Sequence, residues 1–489
     1  MPMTYPAPAR RLSLTWCLVL VSLLSACTHV PPEDKAALNQ QAAFRHATTT
    51  QPYTDAAWWS ALGDDKLAAL MTQAMTHNTE VRTALQRLRQ ARAGESARSS
   101  ALWPTLALTG SASNERTGFP DAVKQGAPDK RVLRAGLDLS WELDVFGRNR
   151  VAAEAAEHDA LAAQAGVYGA QLMVMSEVAQ QYVTLQAARE RLRLVQSLIA
   201  AQQSSVDILT KRRQAGLEGN LPLQTAQADL AQLRSNEPGL GTLIEVTQSR
   251  LAMLLATRTS ELQLGSQTTP VWLTDHAPAD LFGAAPPVGL PLELLTRRPD
   301  VMANRQQWLA EAAREQSART DLLPRFFASA ITGRQDVKLN ALDLAPVFFT
   351  QSALAFTLPL FNAGRVQANI EVQSAQAHIA ELAYEKSVRQ AIEDVDNALT
   401  AWRQDNLRAM AINEALTARR AAMKQVTSLY REGQVSALDV RLAERGQLAA
   451  ELERIDTRTQ QAFNLIQLYK ALGGGWSAPT SSASLHTTP

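Results

Sequence analysis

The sequence predicts a mainly helical protein with membrane β-structure, in which long antiparallel helices form an α-barrel and four strands per protomer contribute to a transmembrane β-barrel. Three observations carry this. The chain is duplicated with a period of roughly 220 residues. Each half holds a long stretch without proline, rich in Ala, Gln, Leu, Glu and Arg. Ahead of each stretch the hydrophobic period changes from about 3.6 to 2, as strands with two unlike faces require.

The chain has 489 residues, 46% hydrophobic and 19% charged, which is globular in composition. Its 48 Lys and Arg against 47 Asp and Glu give a net charge of +1, so there is no sequence-wide footprint for nucleic acid. Arg10 and Arg11 precede an apolar stretch from Leu12 to Leu24 that is too short to span a bilayer as a helix. It reads as a signal peptide over residues 1–26. Leu24, Ser25, Ala26 and Cys27 resemble the bacterial lipobox, which makes the Cys27 thiol the lipidation site. Thr28 follows it, and the missing aspartate resembles lipoproteins sorted onward to the outer membrane. Cys17 lies in the removed segment, so the mature chain can form no internal disulfide and no thiol-based zinc site.

After a lipid-anchored segment over 27–65, residues 66–258 form the first repeat and 291–472 the second, with a Pro- and Gly-containing linker over 259–290. Val81, Ala93, Glu95 and Pro104 fall on Val301, Ala313, Glu315 and Pro324 at one offset. At a slightly shorter offset Leu137, Leu143, Gly147, Arg148, Val178, Gly216 and Leu221 fall on Leu354, Leu360, Gly364, Arg365, Val395, Gly433 and Leu438. Each half reads as a helix, a strand hairpin, a very long helix and a returning helix. In the first half these are a helix from Lys66 to Ser99, a long helix from Arg148 to Arg213, and a return from Leu223 to Thr257. The second long helix is expected from Arg365 to Tyr430.

About 66 residues make a helix near 100 Å, more than three times the roughly 30 Å hydrocarbon core of a bilayer. Its many charges, among them Glu154, Glu157, Asp159, Arg189 and Glu190, place it in water, packed on other helices. The two shorter helices, stacked end to end, have about the combined length to line it.

In the second strand Leu133, Ala135, Leu137, Leu139, Trp141, Leu143 and Val145 alternate with Arg134, Gly136, Asp138, Ser140, Glu142 and Asp144. Leu354, Phe356, Leu358 and Leu360 repeat the apolar face in the other half. The strands after Pro104 and Pro324 alternate too, although Phe327 and Ile331 break the pattern in the latter. Strands of this length with one oily face fit a transmembrane barrel, and a soluble sheet with one wet face gives the same alternation. Four strands cannot close a barrel, and an open edge in lipid leaves backbone groups unpaired at several kcal/mol each. Three copies would supply twelve strands and a lumen lined by Asp138, Glu142 and Asp144, which are otherwise a solvated strand face.

Several motifs together resemble one family. They are Trp58 and Trp59 followed by Leu67, Leu70, Asn78 and Val81; Trp103-Pro104 and Leu323-Pro324; Arg297, Pro299 and Asp300; Phe146, Gly147 and Arg148; and Asn362, Ala363, Gly364 and Arg365. Over nearly all of the mature chain they resemble the outer membrane factor family, the TolC and OprM type of exit duct, in its lipoprotein branch. The resemblance implies a homotrimer in the outer membrane with a twelve-stranded barrel, a helical barrel extending into the periplasm, and a closable tip. It implies a periplasmic adaptor and an inner-membrane pump as partners, passive export of what they hand over, and no cofactor. The turns at the tip fall at Gly216 with Leu217 and Leu221, and at Gly433 with Val435 and Leu438, which become the adaptor contacts. Tyr430 and Asp439 match positions that hold the tip shut or ring the entrance with acid, while Pro222 stands where some relatives carry an aspartate. On its own chemistry Asp439 can equally favour the start of the returning helix, and Lys211, Arg212 and Arg213 the end of the long one.

No enzyme is expected. The histidines lack metal-ligand spacing, no nucleophile has an identifiable base, and the adjacent carboxylates Glu393 and Asp394 read as solvated. The competing reading is a lipid-anchored periplasmic coiled-coil scaffold without channel activity, which leaves four amphipathic strands without a purpose. The Ser-, Thr- and Pro-rich tail over 473–489 reads as disordered.

Overall fold

A computed structural model describes residues 44–45, 57–116, 118, 120, 129–262, 269–274, 282, 287–289, 291–339 and 342–476. Cys27, the signal segment, most of 27–65, part of the linker and residues 477–489 of the tail lie outside them. In chain order the elements are α1 (Asp65–His77), α2 (Thr79–Ser99), β1 (Thr105–Glu115), β2 (Lys130–Leu143), α3 (Arg148–Gln214) and α4 (Asn220–Leu254). They continue with α5 (Leu294–Arg297), α6 (Pro299–Thr320), β3 (Arg325–Leu339), β4 (Leu342–Asp343), β5 (Val347–Thr357), α7 (Arg365–Arg431) and α8 (Ala437–Ala471). Among the described residues no helix is long and apolar enough to cross a membrane.

The duplication preserves the lengths of the long and returning helices, since α3 and α7 both have 67 residues and α4 and α8 both have 35. It extends to backbone conformation: Gly147 and Gly364, Gly216 and Gly433, and Ala256 and Gly473 all have positive φ. Each such residue sits where a helix must start or stop, so the repeat is one of chain path as well as composition.

The chain divides into two compact units, one of them Gln90–Leu161 with Arg305–Leu382. Here β1, β2, β3 and β5 form an antiparallel sheet in that order, with the two-residue β4 beside the far end of β3. Helical segments pack beside the strand ends: Val151 and Ala155 on Ala313, and Ala318 on Val366 and Ile370. Arg148 donates to Asp321 at 3.0 Å, and Arg314 is bonded to both Asp159 and Glu311. At the centre of the sheet Gly136 faces Gly333. A Cβ on Gly136 would lie 2.8 Å from the Thr332 carbonyl oxygen, closer than any side chain tolerates, so these two strands approach because neither residue has one.

The other unit, described within Ala36–Arg89, Ala162–Asn304 and Ala383–Pro489, holds the main core. Trp58 is fully buried and stacks on Tyr469 with ring centroids 5.3 Å apart. The first helix expected from Lys66 to Ser99 is two helices, broken at Asn78. There the chain turns extended, and the backbone N–H of Asn78 closes α1 on Ala74 O. The side chain of Asn78 then does two things. Its Oδ1 accepts from the backbone of Glu80 at 2.8 Å, starting α2, and its Nδ2 donates to Leu254 O at 2.7 Å, in the last turn of α4.

Arg298 holds the equivalent place in the second repeat. Its backbone N–H closes α5 on Leu294 O, and its guanidinium donates to Ala471 O at 3.3 Å, the end of α8. The same guanidinium bonds both oxygens of Asp300 and, at 2.8 Å, Asp394 of α7. Burial would lower the Arg298 pKa, and the bonds to Asp300 and Asp394 outweigh it and hold the group above the ordinary arginine value. Asp394, expected with Glu393 to be solvated, is instead an ion-pair partner of Arg298. The returning helix of each repeat thus ends against the start of that repeat's shorter helix, the end-to-end stacking expected from length.

Two substitutions check these readings. Asn78→Ala removes a cap and leaves a buried carbonyl without its donor, so a loss of about 2–4 kcal/mol is expected as a lower thermal midpoint of the purified protein. Gly136→Val should lower the yield of assembled protein severely, whereas Gly110→Ala, whose Cβ would stand 3.8 Å from its nearest neighbour, should be tolerated.

Candidate functional site: strand faces and helical turns

Directly opposed residues in an antiparallel pair share a face, so the register sorts every strand residue. One face carries Leu106 and Leu108 of β1; Leu133, Leu137, Leu139 and Trp141 of β2; Phe326, Ala328 and Ala330 of β3; and Leu354 and Phe356 of β5. In this single chain Leu108 is 81% exposed and Leu354 73% exposed, a broad apolar surface that water does not favour. Trp141 donates its indole N–H to Leu102 O, and Phe326 lies against both Phe356 and Phe146.

The opposite face carries Thr105, Thr109, Ser111, Arg134, Asp138, Ser140 and Glu142. Phe327 and Ile331, which break the alternation in β3, lie on it opposite Glu142 and Asp138. Arg134 donates to Gln335 at 3.1 Å and sits 4.5 Å from the centre of the Phe349 ring. Of the three acids expected to line a lumen, Asp138 lies on this face in mid-strand. Glu142 lies 3.7 Å from Arg148. Asp144 lies beyond the end of β2 and accepts from the backbone N–H groups of Asn149 and Arg150 at 2.9 and 2.8 Å. Its first work is to start α3, satisfying donors that no helix satisfies for itself.

At the other functional candidate, the two turns use the same geometry. After α3, Gly216 N–H donates to Arg213 O and Leu217 N–H to Arg212 O; after α7, Gly433 donates to Tyr430 O and Gln434 to Leu429 O. This six-to-one closure needs a left-handed residue, which both glycines supply at φ +73° and +76°. Arg212, placed by sequence at the helix end, also donates to Glu218 across the first turn at 3.1 Å. Leu217 and Leu221 are more than two-thirds exposed. Leu438 instead packs on the cluster of Val206, Leu209, Leu223, Ala226 and Leu230 between α3 and α4. Farther along, Arg445 of α8 lies 3.4 Å from Asp229 of α4, and farther still Arg191 of α3 lies 3.2 Å from Asp456 of α8, so an apolar contact and ion pairs tie the second hairpin to the first.

Asp439 forms a capping box with Ser436: its Oδ2 accepts from the Ser436 backbone at 2.8 Å and hydroxyl at 2.6 Å, while Ser436 Oγ accepts from the Asp439 backbone. The Ser436 hydroxyl and then its backbone N–H hold the carboxyl below the ordinary aspartate range. Tyr430 is about half exposed at the end of α7. Sequence reasoning missed Arg298, Arg445 and Asp229. Nothing distinguishes Arg298 from Arg297 in a run of two arginines, and the Arg445–Asp229 pair joins distant helices. Among the described residues no group of His, Cys, Asp and Glu is placed to hold a metal ion.

The family model described as outer membrane efflux protein matches residues 70–257 and 290–474, the two repeats. The chain is 26% identical over 472 residues to the cation efflux system protein CusC of Escherichia coli (strain K12), covering 94% of this chain and 99% of that protein. It is 27% identical over 418 residues to the solvent efflux pump outer membrane protein SrpC of Pseudomonas putida, covering 85% of this chain and 86% of that protein. Among solved structures, the outer-membrane channel OprN superposes with a TM-score of 0.77 at 28% identity, covering 91% of this chain and 99% of that one. With the duplicated helix–hairpin–helix path described above, these matches show that the chain belongs to the outer membrane efflux protein family.

Proposed function

We propose that the chain works as the outer-membrane exit duct of a tripartite efflux or secretion system, a passive channel and not an enzyme. The observation that carries this is the sheet. β1 and β5 are each paired on one side only among the described strands, and an apolar face runs across all four long strands. Lipid tolerates neither an open edge nor a lone four-stranded sheet, so the edges are closed by further copies, three of which give twelve strands. The apolar face then meets lipid, and the face with Thr105, Asp138, Ser140 and Glu142 lines the lumen.

The helical turns form the entrance. Leu217, Leu221 and Val435 with the glycines Gly216 and Gly433 meet a periplasmic adaptor, which connects the duct to an inner-membrane pump. Tyr430 and Asp439 belong to the gate, Asp439 by holding the first turn of α8. Along α8 no residue before Ile455 is buried, whereas α4 buries Leu223, Ala226 and Leu230 close to its turn. The second hairpin is therefore the less firmly held of the two and is the one that moves. Cargo is set upstream: relatives named for cation efflux and for solvent efflux are equally similar to this chain.

The test is conductance in a planar bilayer beside the mass of the detergent-purified oligomer. A trimer with discrete openings is expected, and a non-conducting monomer from verified reconstitution would overturn the duct. Asp439→Asn should open more often than wild type. Because the folded-state pKa of Asp439 is depressed, its stabilisation of α8 is complete above the ordinary aspartate pKa of about 4 and is lost as pH falls through the depressed value. Openings of the wild type should therefore become more frequent on strong acidification, and this Asp439-dependent rise should be absent in Asp439→Asn.

A further inference from the structure

The polar sheet face carries the charged side chains Glu115, Lys130, Arg134, Asp138, Glu142 and Arg325. Glu115 and Lys130 stand directly opposite each other and offset one another. Glu142 lies 3.7 Å from Arg148, and Arg325 donates to Asp321 at 2.7 Å. Arg134 and Asp138 remain, and among the described residues neither has a partner of opposite charge.

Three strands hold Arg134 at one height. Its guanidinium donates to Gln335, directly opposite on β3, and rests 4.5 Å from the centre of the Phe349 ring on β5. Phe349 stands opposite Gly333, and Gly333 opposite Gly136, so no side chain competes with the ring for that place on the next two strands. Both partners are neutral, so they fix the cation without cancelling it. Asp138 lies four residues nearer the helices on the same face, opposite Ala107 and Ile331. Four residues are about 13 Å of strand and roughly 10 Å of height at the usual barrel tilt, about one Debye length at 0.1 M salt. Twelve strands about 4.8 Å apart and tilted by about 40° put the wall roughly 12 Å from the axis. An ion passing along that axis therefore feels every copy of Arg134 and, a little nearer the helices, every copy of Asp138.

We infer that Arg134 is a specificity-determining residue of the lumen: its copies form a positive ring that opposes the Asp138 carboxylates and keeps the open barrel from preferring cations. The inference rests on the duct reading, which turns this face to the lumen. Charged side chains arranged in rings set ion preference in channels, and here two sets of opposite sign stand close enough to offset each other. Cargo of either sign then meets one attractive and one repulsive set of charges on its way out.

The experiment measures the reversal potential of the open level of the full chain in a planar bilayer, across a tenfold KCl gradient kept below about 0.1 M. Arg134→Gln should raise the potassium-to-chloride permeability ratio about twofold over wild type, and Asp138→Asn should lower it by about as much. The double variant should return to the wild-type ratio, and Arg134→Lys, which keeps the charge, should keep that ratio. Near 1 M KCl, where the Debye length is about 3 Å, the single variants should converge on wild type. An unchanged ratio in Arg134→Gln at low salt, or an equal shift in Arg134→Lys, would overturn the inference. A shift that persists near 1 M KCl also overturns it, because it reports an altered pore shape and not a lost charge. Oligomeric mass checks that Arg134→Gln assembles; if it does not, Asp138→Asn carries the test, and no fall in its ratio overturns the opposed charges. Wild type that never opens refutes the duct reading beneath, whereas conducting wild type with an unchanged Arg134→Gln ratio refutes the role of Arg134 alone.

Discussion

The structure depends on a joint between helix ends. A 67-residue helix needs apolar cover along its length, and a returning helix of 35 residues cannot provide it. The remainder comes from a second helix that begins where the return stops, and both ends carry backbone groups that no helix satisfies for itself. Asn78 solves this in the first repeat with one side chain, capping α2 and donating to the last turn of α4. Arg298 solves it in the second, donating to the end of α8 while two carboxylates neutralise its buried charge. An amide and a guanidinium stand at matching positions because the requirement is for a donor, and the surroundings decide how much charge it can carry.

From each joint the following helix leads directly into a strand, and the second constraint takes over there. The four long strands have one apolar face and two edges without partners among the described elements. Neither defect can be repaired within the chain. Lipid and further copies repair both, which is why sheet, oligomer and membrane location form one argument. The polar face is a mixture of hydroxyls, Arg134, Asp138 and Glu142, with two of the three acids drawn toward the start of α3, so it is wet without being a ring of free carboxylates.

Much of this was legible from the chain. The long helices were placed to within a residue or so at each end, because 67 residues without proline leave no competing structure, and the strand faces followed from an alternation that only Phe327 and Ile331 of β3 interrupt. The glycines of the turns were legible because a six-to-one closure requires φ above zero. The break at Asn78 was not, since α1 and α2 share one helical period and the kink exists to receive α4 from far along the chain. Asp144 was read as lining a lumen and Asp394 as solvated, and they instead start α3 and pair with a buried arginine, while Asp439 takes the helix-start role that was one of its two readings. Carboxylates near helix ends serve backbone donors first, and periodicity alone does not show which donors lie in reach. Arg298 was overlooked beside Arg297 because adjacent residues point apart and only packing selects between them.

The account stands most directly on closure of the sheet edges by other copies. Hydrogen exchange resolved to single amides in the detergent-purified assembly measures it, by comparing β1 and β5 with the central β2 and β3. The account predicts that outward-pointing amides of β1 and β5 are protected as strongly as those between β2 and β3, and lose that protection together when the oligomer is dissociated. Fast exchange along either outer edge in the intact assembly would contradict it.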